Sequence, residues 1–126
     1  MKHTQSLKKN SDFRTIYRTG KSYANKYLVM YIKNNNLNEN RLGISVSKKV
    51  GNSVIRHRIT RLIRESYRLS EDKIKSGYDI IIVSRVGAKG KSYSEIESAL
   101  MHLIRLHKIE KNIEVFDQIE SDMVEV

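Results

Sequence analysis

Apolar and polar positions recur along this chain with two different periods, and each period marks out an element. Residues 1–10 are polar and basic, without a period, and read as a mobile arm. Phe13, Ile16 and Tyr17 then share one face at spacings of three and four. Asn10 or Ser11 can cap this short helix, which should run to about Thr19, with Gly20 as a stop. Residues 22–33 alternate with period two: Tyr23, Tyr27, Val29 and Tyr31 on one parity, Leu28, Met30 and Ile32 on the other. NNNLNEN at 34–40 is a turn or hairpin loop. Leu42, Ile44 and Val46 alternate with Gly43, Ser45 and Ser47, as in a half-buried strand.

The helical period returns after Gly51, where Asn52 and Ser53 can cap. At ~100° per residue, Leu69, Leu62, Ile55, Ser66, Ile59 and Ile63 fall within one arc of roughly 120°. His57, Arg61, Arg64 and Arg68 lie on the far side, with Arg56 and Arg58 on the flanks. The helix should reach about Ser70, and residues 71–77 form a polar connection with room for a helical turn. Tyr78–Ser84, YDIIIVS, is a continuous β-branched run, so a central strand buried on both faces. A Gly- and Lys-rich loop at 86–91 leads into a last helix carrying Ile96, Leu100, Leu103 and Ile104. Ser92 or Ser94 caps it, and Ser94 with Glu97 resembles a capping box. The order α-β-β-α-β-α predicts an α/β sandwich, with helices packed on a small mixed sheet.

Composition sharpens this picture. The chain has 126 residues, suited to one domain, with 24 Lys and Arg against 14 acids. Residues 112–126 hold five acids and no Lys or Arg, so without them the net charge of +10 becomes +15 over residues 1–111. That divides the chain into a basic domain, 1–111, and an acidic tail, 112–126, expected to be a frayed helix or disordered. A domain this basic takes a polyanion as partner. Arg61 to Arg68 spans only ~10 Å of helix, so one face can meet several phosphates with planar two-pronged donors. The competing reading, a solvated helix face, is weak here, because only Glu65 and at most Glu71 can neutralise the row.

No stretch is long and apolar enough to cross a membrane, no signal peptide opens the chain, and a membrane partner is not expected. Without Cys there is neither a disulfide nor a Cys-based zinc site, which fits a cytoplasmic protein. His57 sits within the arginine row, and His102 and His107 have no carboxylate at dyad or ligand spacing, so no catalytic residue and no metal site is expected in the protein. If the first helix lies on the sheet, Phe13 and Tyr17 meet the Tyr27 and Tyr31 parity, with Lys21, Lys26 and Lys33 around them. Such rings are commonly core. Aromatics flanked by lysines are also how single-stranded RNA is held, with bases stacked and backbone neutralised.

These residues carry a resemblance. Lys48-Lys49-Val50-Gly51-Asn52-Ser53-Val54, Arg56-His57-Arg58 and Arg61-Leu62-Ile63-Arg64-Glu65 resemble the signature of the protein subunit of bacterial ribonuclease P. Leu7-Lys8-Lys9, Asp12-Phe13, Ala24-Asn25, Leu42-Gly43-Ile44-Ser45-Val46-Ser47 and Asp79-Ile80-Ile81 agree with it, over roughly residues 6 to 110. The family usually has Asn at His57 and Lys at Thr60, and the acidic tail is outside its pattern. The resemblance implies a left-handed β-α-β crossover and a catalytic RNA partner that binds magnesium and performs the hydrolysis. It assigns Lys48, Lys49, Asn52, Arg56, His57, Arg58, Arg61, Arg64 and Arg68 to the RNA subunit. It assigns Phe13, Tyr17, Lys21, Tyr31 and Lys33 to the 5′ leader of precursor tRNA. The alternatives are a structural RNA binder of ribosomal type and a helix-turn-helix DNA binder. A scaffold on folded RNA needs no single-strand groove, and the DNA binder needs a helix where residues 42–47 read as a strand.

Overall fold

The computed structural model describes residues 1–111; the expected acidic tail lies outside the described residues. Its elements are β1 (Thr4–Ser6), α1 (Asn10–Thr19), β2 (Lys21–Ala24), β3 (Leu28–Asn34), β4 (Asn40–Ser45), α2 (Ser53–Ser70), β5 (Tyr78–Ser84) and α3 (Tyr93–Leu106). A 3-10 turn, Glu71–Lys73, follows α2, and another, Val86–Ala88, precedes α3. The five strands form one mixed sheet in the order β1-β4-β5-β3-β2. The sandwich expected from the sequence is therefore present, with two additional strands.

The first addition is β1. The arm expected to be mobile pairs in parallel with β4 over Thr4–Ser6. The pairing uses backbone groups, so polar side chains gave no periodic sign of it. Glu71 holds the arm from the other end: its Oε1 accepts the Lys2 N–H at 2.7 Å and its Oε2 the His3 N–H at 3.3 Å. Burial opposes ionisation of Glu71. Hydrogen bonding from Thr4 and these N–H groups outweighs it and keeps the carboxyl below its usual range. Beside it, the buried Tyr67 hydroxyl lies 2.9 Å from Thr4 Oγ1.

The second is a break in the expected long strand. Asn25 Oδ1 accepts the N–H groups of Tyr27 (3.2 Å) and Leu28 (3.0 Å), an Asx turn that folds β2 back antiparallel on β3. Nor is the Asn-rich loop a hairpin. β3 and β4 do not pair; β5 lies between them, antiparallel to β3 and parallel to β4. β4, α2 and β5 thus form a β-α-β crossover between neighbouring strands.

Alternation along β5 divides the interior in two. Ile80 and Ile82 join Leu28, Met30 and Ile32 in the main core, under Ile59, Ile63 and Tyr67 of α2 and Ile96, Leu100 and Leu103 of α3. Ile81 faces the other way, toward Leu7 and Ile16 beneath α1. Each such side chain contributes ~1.5–3 kcal/mol through burial. On α2 the buried stripe is Ile59, Ile63, Ser66, Tyr67 and Ser70, while Leu69 is exposed. It is turned by roughly 50° from the expected arc, at ~100° per residue.

Two cap expectations are revised, while the Gly20 stop, the Ser92 cap and the Asn52 cap stand. Lys9, not Asn10 or Ser11, occupies the α1 N-cap and makes no side-chain cap bond. Gly20 ends α1 in an extended conformation; what it supplies is space, since a Cβ there would lie 2.6 Å from the Ile16 carbonyl oxygen. The α3 capping box is Ser92 with Glu95, not Ser94 with Glu97. Asn52 caps α2, accepting the Ile55 N–H at 3.0 Å.

Candidate nucleic-acid interface

The Asn52 cap sets where α2 begins and so where each arginine points. His57, Arg58, Arg61, Arg64 and Arg68 are exposed along the helix, with Lys48 and Lys49 exposed in the turn before it. Arg56 is half-buried, its Nε enclosed without a hydrogen-bond partner among the described residues. The expected neutralisation falls on one member. Arg68 Nε donates to Glu65 at 3.1 Å, which holds the Glu65 carboxyl below its usual range. Glu71, which could have joined, is turned to the N-terminal backbone instead. Arg61 and Arg64 have no acidic partner among the described residues. Where the family usually has Lys, the Thr60 hydroxyl donates to the Arg56 carbonyl at 2.9 Å and adds no cation.

The aromatic group lies on the opposite face of the sheet. Gly43 permits it: a Cβ at that position would sit 2.5 Å from Phe13 Cζ, so the ring rests directly on β4. Tyr17 meets Tyr31 edge-on, ring centroids 4.9 Å apart, and Phe13 lies 6.3 Å from Tyr17. Phe13 and Tyr31 are half-buried against Leu7, Ile16 and Ile81, whereas Tyr17 is 39% exposed. Lys33 follows Tyr31 by two residues, on the same face, and its Nζ donates to Thr19 Oγ1 at 2.8 Å.

Three expected members are elsewhere. Lys21 pairs in register with Ile32, so it shares the main-core side of the sheet, and its Nζ lies 5.1 Å from the Tyr23 ring centroid. Tyr27 follows the Asx turn and packs toward the main core. Simple parity fails at both because the turn separates two strands. Lys26, in the same turn, lines a cavity of about 670 Å³ with Asn25, Tyr27, Ser98 and His102, away from both surfaces.

One group escaped the sequence reading. Arg41 grips Asp79 through two bonds, Nε–Oδ1 at 2.7 Å and Nη2–Oδ2 at 2.6 Å, and lies 3.6 Å from Asp12 of α1. The Asp79 hydrogen bond raises the Arg41 pKa further. Asn35 Nδ2 adds a third bond to Asp79, at 3.0 Å. The cluster ties α1 to β4, β5 and the Asn-rich loop. The parity of Arg41 with Gly43 would have placed it on this face. Its partner is thirty-eight residues away and left no local sign. Among the described residues no cluster of His, Cys, Asp and Glu could hold a metal ion, and no helix is long and apolar enough to cross a membrane.

A mixed sheet with an exposed arginine row on one side and open, lysine-edged aromatics on the other defines a basic α/β protein that binds RNA. The Ribonuclease P family model matches residues 1–108, and the chain belongs to that family. It is 67% identical over 106 residues to the ribonuclease P protein component of Lachnoclostridium phytofermentans, covering 84% of this chain and 91% of the relative. It is 57% identical over 109 residues to that of Alkaliphilus metalliredigens, covering 86% and 98%. The RNase P protein of Staphylococcus aureus superposes with a TM-score of 0.77 at 42% identity, over 82% of this chain and 95% of that one. That of Thermotoga maritima gives 0.73 at 29%, over 79% and 94%. The protein is therefore of the kind that serves as a subunit of the ribonucleoprotein that processes tRNA 5′ ends, and its partner is RNA.

Proposed function

We propose that α2 binds the catalytic RNA of ribonuclease P while the cleft between α1 and the sheet holds the 5′ leader of precursor tRNA. The observation that carries this is the exposure of Tyr17 beside Tyr31. Rings serving only as core would be closed over; here one is left facing solvent, with Lys33 at its margin. Bases of the leader stack on the rings, and Lys33 meets the backbone. Lys48, Lys49, Asn52, Arg56, His57, Arg58, Arg61, Arg64 and Arg68 face the RNA subunit. Lys21, on the far side of the sheet, has no part in the cleft as built.

Phosphodiester hydrolysis belongs to the RNA subunit with its bound magnesium, and the protein tightens substrate and metal binding by neutralising phosphates. The work is cytoplasmic. A purely structural RNA binder is disfavoured by the open aromatic cleft. Mixing the protein with ribonuclease P RNA, magnesium and precursor tRNA should release the leader at lower magnesium than RNA alone requires. Equal magnesium dependence with and without protein would defeat the proposal.

A further inference from the structure

Beside the arginine row, where α2 meets the start of α3, lies a notch of about 330 Å³ lined by Arg58, Arg61, Leu62, Glu65 and Tyr93. Its size is at the lower end of small-ligand sites, ~300–1,000 Å³, enough for one base. Arg58 is held at the rim by a bond from its Nη2 to the Lys91 carbonyl at 3.1 Å, which leaves most of its fork available. Arg61 stands beside it without an acidic partner among the described residues. Glu65 is steadied by Arg68 and still has lone pairs to offer. The Tyr93 hydroxyl is enclosed, with Ser66 and Glu97 as its polar neighbours. Tyr93 therefore contributes its ring to the notch rather than its hydroxyl.

Aromatic and aliphatic surface, two guanidiniums and one exposed carboxylate form a set with a specific complement. We propose that the notch takes a single unstacked nucleotide of the RNA partner. The phosphate lies on Arg58 and Arg61, the base against Tyr93 and Leu62, and an exocyclic amino group donates to Glu65. A carboxylate accepts from adenine, cytosine or guanine amino groups, and uracil has none to give. Continuity with the arginine row argues for a nucleotide within the RNA rather than a free small molecule. The inference rests on the reading of α2 as the RNA face and adds to it one base-sized, base-selective contact.

The test is nucleotide-resolution chemical probing of ribonuclease P RNA with the full-length protein, alongside affinity and melting temperature. The expected result is one protected, unpaired nucleotide whose protection disappears in Tyr93→Leu and returns in Tyr93→Phe, which keeps the ring. Affinity should fall roughly ten-fold in Tyr93→Leu. Replacing that nucleotide by uridine should weaken binding to the unaltered protein but not to Glu65→Gln, a surface change that spares the fold. Protection that persists in a stably folded Tyr93→Leu overturns the proposal. So does a uniform loss of all protections with a lowered melting temperature, or a uridine effect that Glu65→Gln does not abolish. Arg64→Ala, on the row but outside the notch, separates the two levels. If it leaves RNA affinity unchanged, the α2 reading fails and the notch with it; if it weakens binding and the Tyr93 and Glu65 results fail, only the notch is lost.

Discussion

The two faces of the sheet are covered to different depths. On one, α2 and α3 close over Leu28, Met30, Ile32, Ile80 and Ile82, all of them buried. On the other, α1 alone buries Leu7, Ile16 and Ile81, with Phe13, Tyr31 and Val83 only partly covered. A face with two helices can be sealed; a face with one ten-residue helix leaves rings at its margin. The thick side supplies stability and so lets the thin side keep apolar surface for a ligand. The arginine row belongs to the thick side, on the outer surface of a helix whose inner surface is the core.

Breaking the thick face should have the largest effect. Ile82→Ala is expected to lower stability by ~2–5 kcal/mol, read by chemical denaturation; a change well below 1 kcal/mol would mean that this core is not the main one. Gly43→Ala tests how α1 is seated. The new methyl would displace Phe13 from β4, at a cost of ~1–3 kcal/mol. Weaker binding of precursor tRNA should accompany it while the main core stays packed, visible as unchanged hydrogen exchange in β5.

Tyr17→Ala should separate binding from stability. Loss of a stacking surface worth ~1–3 kcal/mol per base lowers affinity for leader-bearing precursor tRNA about 5- to 150-fold. Mature tRNA and the unfolding midpoint should hardly change. Tyr31→Ala should do the same to affinity with some loss of stability, because that ring is half-buried. A lowered midpoint with an unchanged precursor-to-mature ratio would remove the cleft assignment. On the outer surface of α2, Arg61→Ala or Arg64→Ala should each reduce the salt slope of RNA binding by about 1. An unchanged slope in both would put the row in solvent.

The smallest expected effect is on the thick side, at the end of α3. Burial holds the His107 imidazole below its ordinary 6.5, against the pull of its bond to the Met30 carbonyl, and Lys21 nearby lowers it further. The unfolded chain therefore takes up its proton first. Stability contributed by the neutral ring is present above pH 6.5 and is lost as pH falls from there through the lower folded value. His107→Asn should flatten that part of the stability profile between pH 7 and 5; an unaltered profile would exclude His107 as its source.

Periodicity alone located all three helices, the strand Tyr78–Ser84 and the arginine row, because each depends on residues within a few positions of one another. The Asn52 cap was legible for the same reason: donor and acceptor are three residues apart. The unbroken apolar run of β5 also marked it as a strand buried on both faces. What remained for the tertiary structure involves partners far apart in sequence. β1 is a strand only because the β4 edge lies open to its backbone, and β5 separates β3 from β4 only once α2 has carried the chain back. Lys21 and Tyr27 left the aromatic group because the Asn25 turn and the β2–β3 register, not parity along one strand, decide their faces. Tyr67 displaced Leu69 from the core because the packing of α2 against its neighbours sets the helix rotation, which a helical wheel leaves free within tens of degrees.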